Sequence, residues 1–118
     1  MHSDWKMLTS IGQLDEIDEI SETRPVAIFK HSTRCGISAG AEYRLLQDWG
    51  FDPDNVSLYH LDLLNYRSVS NAIAERYKVV HQSPQLLIIQ NGKVVDQTSH
   101  HLVSANFIDQ AISKSGLA

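Results

Sequence analysis

The sequence has a single cysteine, Cys35, among 118 residues. A disulfide within the chain is therefore impossible, and so is a metal site built from cysteines alone. Long apolar runs are missing, and none nears the roughly 20 residues that cross a bilayer. Met1 to Leu8 lacks the basic-then-apolar order of a signal peptide. Positive charge is not in excess, since 10 Lys and Arg against 14 Asp and Glu leave a net charge of −4. That balance offers little to a phosphate backbone or an anionic membrane surface, so neither nucleic acid nor membrane is an expected partner. The six histidines show no spacing that would converge three or four metal ligands, and no metal is expected. Repeats and low-complexity tracts are absent, and glycine and proline are sparse. What is present is an ordinary apolar fraction, 42%, in a chain the length of one domain. One soluble, cytoplasmic domain over residues 1–118 is the expectation.

Periodicity divides the chain into eight elements. Ser10-Ile11-Gly12-Gln13 reads as a capping box, and Ile11, Leu14, Ile17 and Ile20 make an apolar stripe running to about Glu22. Pro25 blocks further helix. Val26-Ala27-Ile28-Phe29 has the unbroken apolar character of a strand covered on both faces. His31-Ser32-Thr33-Arg34 is a polar loop, after which Ala41, Leu45, Leu46 and Trp49 recur at helical spacing and Gly50 offers a stop. Val56 to Asp62 reads as a second strand, Ser68 to Tyr77 as a third helix, and Leu86-Leu87-Ile88-Ile89 as the most hydrophobic strand. Asn91-Gly92 predicts a hairpin returning through Lys93 to Thr98, and a last helix runs from Ser104 to Ser115. Trp5 and Trp49 read as packing aromatics, and His2 and His60 as surface or strand residues. The order α-β-α-β-α-β-β-α, with a right-handed βαβ unit first, fits an α/β fold of thioredoxin-like architecture, a four-stranded mixed sheet flanked by helices.

This order puts Cys35 at a helix N-terminus just after a strand. Unpaired N–H groups and the helix dipole favour the thiolate there, Arg34 adds a neighbouring cation, and Ser38, one turn on, offers a hydroxyl to the sulfur. Position 38 is where a dithiol oxidoreductase would carry its resolving cysteine. Serine there leaves only a monothiol cycle, in which Cys35 takes a small thiol from a mixed disulfide and a second small thiol releases it. A second constellation is Ser83-Pro84-Gln85, where a cis bond would turn the chain toward Cys35 and the Ser83 backbone could pair with a bound thiol. His31, His81 and His100 read as polar groups lining this site, and Lys30 as a partner for a carboxylate on the small thiol.

The segment Phe29-Lys30-His31-Ser32-Thr33-Arg34-Cys35, followed by Ile37-Ser38, resembles the active-site segment of the monothiol bacilliredoxins, thioredoxin-fold proteins of the bacillithiol redox system. The likeness continues at His81 to Gln85, at Asn91-Gly92 and at Ser99-His100. Gly36 departs from it, standing where that family is expected to have proline. The resemblance implies a cytoplasmic enzyme, linked to stress response, that strips a bacillithiol-type thiol from S-thiolated client proteins. It implies Cys35, Ser38 and Arg34 as catalytic residues and Lys30, His31, Thr33, Ser83, Pro84 and His100 as binding residues. It implies no tightly bound cofactor, the small thiol being a co-substrate. Cys35-Gly36-Ile37-Ser38 is also similar to the signature of monothiol glutaredoxins, which carry iron–sulfur clusters with glutathione. The Gly-Gly pair and acidic residue that grip glutathione in those proteins are replaced here by Val94 to His100. A cluster carrier and a non-catalytic binding module of the same fold remain the alternatives.

Overall fold

A computed structural model describes residues 2–114 of the chain. In order it comprises β1 (Lys6–Met7), α1 (Gln13–Ile20), β2 (Val26–His31), α2 (Gly36–Asp48), β3 (Ser57–Asp62), α3 (Arg67–Tyr77), β4 (Gln85–Gln90), β5 (Lys93–Ser99), a 3₁₀ turn (His100–Leu102) and α4 (Ala105–Lys114). The strands form one mixed sheet in the order β1-β3-β2-β4-β5, parallel on the β1 and β3 side of β2 and antiparallel from β4 onward. The architecture is the expected thioredoxin-like one, with one correction: the sheet has five strands rather than four. The added strand is only two residues long, too short for any alternation to reveal it.

Alternation across β2 sorts its side chains between two cores. Ala27 and Phe29 face the layer made by α2 and α4, where Ala41, Leu45, Ile108 and Ala111 are buried. Val26 and Ile28 face the layer made by α1 and α3, with Leu14, Ile17, Val69 and Ile73. Every residue of β2 and β4 is buried, which explains their unbroken apolar runs. Each fully covered Leu, Ile or Phe contributes about 1.5–3 kcal/mol. The edge strand β5 instead alternates exposed and half-buried residues. The hairpin is as predicted: Asn91 and Gly92 both have positive φ, 52° and 72°, which a two-residue I′ turn requires.

Several boundaries move. The capping box at Ser10 is only half formed: Gln13 Oε1 accepts the Thr9 and Ser10 amides at 2.7 and 3.1 Å, but Gly12 occupies the cap position. α1 stops at Ile20 rather than Glu22, and Ile11 is exposed rather than part of the buried stripe. α2 ends at Asp48 because Trp49 turns extended at ψ 115°, so Gly50 is not its stop. Trp49 bends away to meet Trp5 edge-to-face, the ring centroids 5.5 Å apart. The predicted end of the last helix at Ser115 lies outside the described residues. Among the described residues no helix is long and apolar enough to cross a membrane.

Candidate active site

β2 delivers the chain to the site. Its last residue, His31, is followed by a turn in which the Cys35 amide donates to the Ser32 carbonyl at 3.3 Å. Cys35 is extended, with φ −114° and ψ 119°, and caps α2; its carbonyl accepts the Ala39 amide at 3.0 Å, the first bond of the helix. The thiol is half-buried and free. No acidic residue lies in the first turn of α2, so nothing there offsets the partial positive charge of the helix start. A Cβ added to Gly36 would meet nothing within 4 Å, so the first helical position has no steric need for glycine.

Among the described residues no hydrogen bond joins the Ser38 hydroxyl to the sulfur. That hydroxyl is buried, where it accepts the Ser32 amide at 3.0 Å and lies 2.7 Å from His31 Nδ1. The helix carries the side chain inward because position 38 falls on the core side of α2, with Ala41 and Leu45. His31 thus joins the site from beneath rather than lining its surface. Its Nε2 lies 3.7 Å from Glu42 Oε2, and the same oxygen is 2.6 Å from His60 Nε2. Burial lowers the proton affinity of His31, the Glu42 carboxylate opposes that shift, and His60 adds to it. His60, read as a surface or strand residue, is a buried strand residue and part of this group. Glu42 was not anticipated at all. It sits four residues after Ser38 on one helix, a spacing that places both on one face.

Lys30 also departs from expectation. Neighbouring residues of a strand face opposite ways, so Lys30 projects to the α3 layer while His31 projects to α2. Its side chain is fully covered, and Nζ lies 3.3 Å from the Ser70 carbonyl and 3.2 Å from His81 Nδ1. Enclosed there, it cannot meet a ligand carboxylate; it ties the loop before β4 to α3. Desolvation lowers its pKa to about 8. His81, exposed at the loop, is lowered by partial burial and by the neighbouring Lys30 and Arg67 charges.

The Ser83–Pro84 bond is cis. Gln85 is the register partner of Lys30, so this turn leaves the sheet at the end from which the Cys35 loop also leaves. The Pro84 carbonyl accepts the His100 amide at 3.0 Å, and His100 adopts a positive φ of 56°. Arg44 of α2 reaches the same turn, its guanidinium donating to the carbonyls of His100, His101 and Val103 at 3.2–3.3 Å. Thr33 and Arg34 are exposed and line a groove of about 300 Å³ with Leu64 and Asn65. Among the described residues no cluster of three or more His, Cys, Asp or Glu side chains is arranged to hold a metal.

The geometry is that of a half-buried thiol at a helix start, at the same end of the sheet as a cis-proline turn, and comparison with known proteins agrees. Residues 6–108 match the family model of the monothiol bacilliredoxin BrxC. A solved structure described provisionally as an oxidoreductase with a thioredoxin fold is 30% identical, with a TM-score of 0.76 over 92% of this chain and 93% of that one. Thioredoxin from Trypanosoma brucei brucei superposes with a TM-score of 0.75 at 15% identity, covering 100% of this chain and 96% of its own. Thioredoxin from Malassezia sympodialis gives 0.73 at 15%, covering 96% and 91%. The last two likenesses show the fold alone. The chain belongs to the monothiol bacilliredoxin family, and is a thiol–disulfide oxidoreductase of thioredoxin fold.

Proposed function

We propose that this protein removes a low-molecular-weight thiol of the bacillithiol type from mixed disulfides on client proteins in the cytoplasm, through Cys35. The observation that carries the reading is a lone, half-buried thiol at the cap of α2 with serine three residues on. The Cys35 thiolate attacks the small thiol's sulfur in the client mixed disulfide. One S–S bond forms as the other breaks, and the client sulfur leaves with the electron pair and takes a proton from solvent. A second small thiol, as thiolate, then attacks the adduct, leaving as a symmetric small-molecule disulfide and returning Cys35. With no second cysteine in the chain, release depends on that external thiol, a co-substrate rather than a bound cofactor.

The helix start stabilises the developing thiolate in both steps. Arg34 supplies a cation that, among the described residues, has no side-chain partner of its own, and with Thr33 and Asn65 it lines a groove suited to the polar body of the small thiol. Ser83, Pro84 and His100 form the opposite rim, on which the client backbone docks.

The test is turnover of a client protein carrying a bacillithiol mixed disulfide, with free bacillithiol as second substrate. Wild type should release the client thiol, and Cys35→Ser should fall to the uncatalysed rate. Wild-type activity in that variant overturns the reading. So does a coloured dimer from anaerobic reconstitution with iron, sulfide and small thiol, if dethiolation is absent.

A further inference from the structure

On the sheet side of the helix that presents Cys35 lies a polar group, buried except for its half-buried carboxylate, for which the cycle above has no use. It draws on three elements: His31 of β2, Ser38 and Glu42 of α2, and His60 of β3. The two imidazoles have centroids 5.4 Å apart, and both aim Nε2 at one Glu42 oxygen. His60 Nδ1 is buried and has no hydrogen-bond partner among the described residues, which favours its hydrogen on Nε2, donating to Glu42. Phe29 and Trp5 close the group from the core, Trp5 stacking on His60 at 6.1 Å. Such a group is costly in a small domain. Each buried polar side chain must find a partner or lose about 1–3 kcal/mol, and apolar residues of the same size would pack as well.

A carboxylate between two imidazoles binds protons as one coupled unit. This unit meets the site at Ser38. When His31 Nδ1 carries no hydrogen, the Ser38 hydroxyl must donate to it and has nothing left to offer. When His31 is an imidazolium, Nδ1 donates instead, and the Ser38 hydrogen is freed to turn to another acceptor. The charged groups facing His31 are Glu42 from α2, and His60 and Asp62 from β3. Lys30 lies across the sheet.

Resting on the assignment of Cys35 as the reacting sulfur, we propose that His31, Glu42 and His60 form a proton-holding unit that acts through Ser38 as positioning residues for Cys35. When Cys35 ionises, its S–H bond breaks and the unit gains a proton on an imidazole nitrogen. The Ser38 O–H then turns from His31 to the sulfur. When the second small thiol attacks the adduct, the Cys35–adduct S–S bond breaks and the Cys35 sulfur leaves with the electron pair into that hydrogen bond. In effect the chain offers the departing sulfur a proton donor where a dithiol protein would offer a second thiol.

Because coupling is reciprocal, the sulfur must also be felt by the histidines. Trp5 reports on them, since protonating a stacked imidazole quenches an indole. Trp49→Phe and His2→Gln remove the other indole and the other imidazole near Trp5. In that background the Trp5 fluorescence titration should have its midpoint lowered by about half a pH unit or more when Cys35→Ser removes the ionised sulfur. Glu42→Gln should remove one of two inflections in the pH profile of Cys35 alkylation by iodoacetamide. An unmoved Trp5 midpoint overturns the proposal, as does an unchanged alkylation profile in a folded Glu42→Gln protein. Should that variant fail to fold, the Cys35→Ser titration decides alone. Neither readout uses a mixed disulfide. Failure to dethiolate any client with the coupling intact sinks the proposed substrate only, and dethiolation without the coupling sinks only the unit.

Discussion

Lys30 and His31 are adjacent, both basic and both buried, yet the sheet sends them to opposite layers and their surroundings differ. His31 finds a carboxylate, Glu42, and a hydroxyl, Ser38, in the helix that Cys35 caps. Lys30 finds a helix carbonyl and an imidazole, with no acidic partner, beside the loop before β4. Burial lowers the proton affinity of both, but at His31 the Glu42 carboxylate opposes the loss, and at Lys30 no acid does. The comparison teaches that the α2 side of β2 gathers titratable partners, whereas the α3 side ties down a loop.

The largest effect that would break this contrast concerns Lys30. Its folded pKa of about 8 lies below the ordinary 10.5. Between those values the unfolded chain binds a proton that the folded one lacks, so folding stability should rise with pH across the window, by about 3 kcal/mol at most. Lys30→Met removes that dependence. Urea unfolding should show the variant more stable than wild type at pH 7, with the gap closing toward pH 10. A gap that does not change with pH would mean that the amine holds its proton as firmly in the fold as in the unfolded chain.

Next comes His31→Leu, which leaves Ser38 and Glu42 short of a partner and should cost about 2 kcal/mol at pH 7.5. The folded proton affinity of His31 is lowered, so below about pH 6.5 the unfolded wild type gains a proton that the folded one resists. Wild type therefore loses stability as pH falls, the variant does not share that loss, and the gap should narrow by pH 5. The smallest effect belongs to His81→Leu. An exposed loop residue should cost no more than about 0.5 kcal/mol, speed amide exchange in residues 79–84 and leave Cys35 alkylation unchanged. A changed alkylation profile would erase the distinction between the two layers.

The sequence made the strands of the centre and the hairpin plain, because both are coded locally: unbroken apolar runs for β2 and β4, and two residues able to take positive φ at Asn91-Gly92. β1 was invisible because a two-residue strand exists only through the neighbour it pairs with. The site divides the same way. Cys35 at a helix start could be read from its flanks, and serine at 38 from its spacing. The direction of the Ser38 hydroxyl could not, since it depends on which side of α2 meets the sheet. Lys30 and His31 could not be told apart until alternation in β2 was anchored to a layer. Glu42 had a readable signal, its spacing from Ser38, but its partner His60 comes from another strand and is joined to it only by folding.

Arg44 holds the turn after β5 by three main-chain carbonyls, and that turn holds Pro84 by a main-chain amide. Neither attachment uses the side chain of His100, His101 or Leu102. The rim of the site can therefore be redecorated, residue by residue, without loosening the frame that keeps it beside the sulfur. New surface chemistry there would sit on an old skeleton.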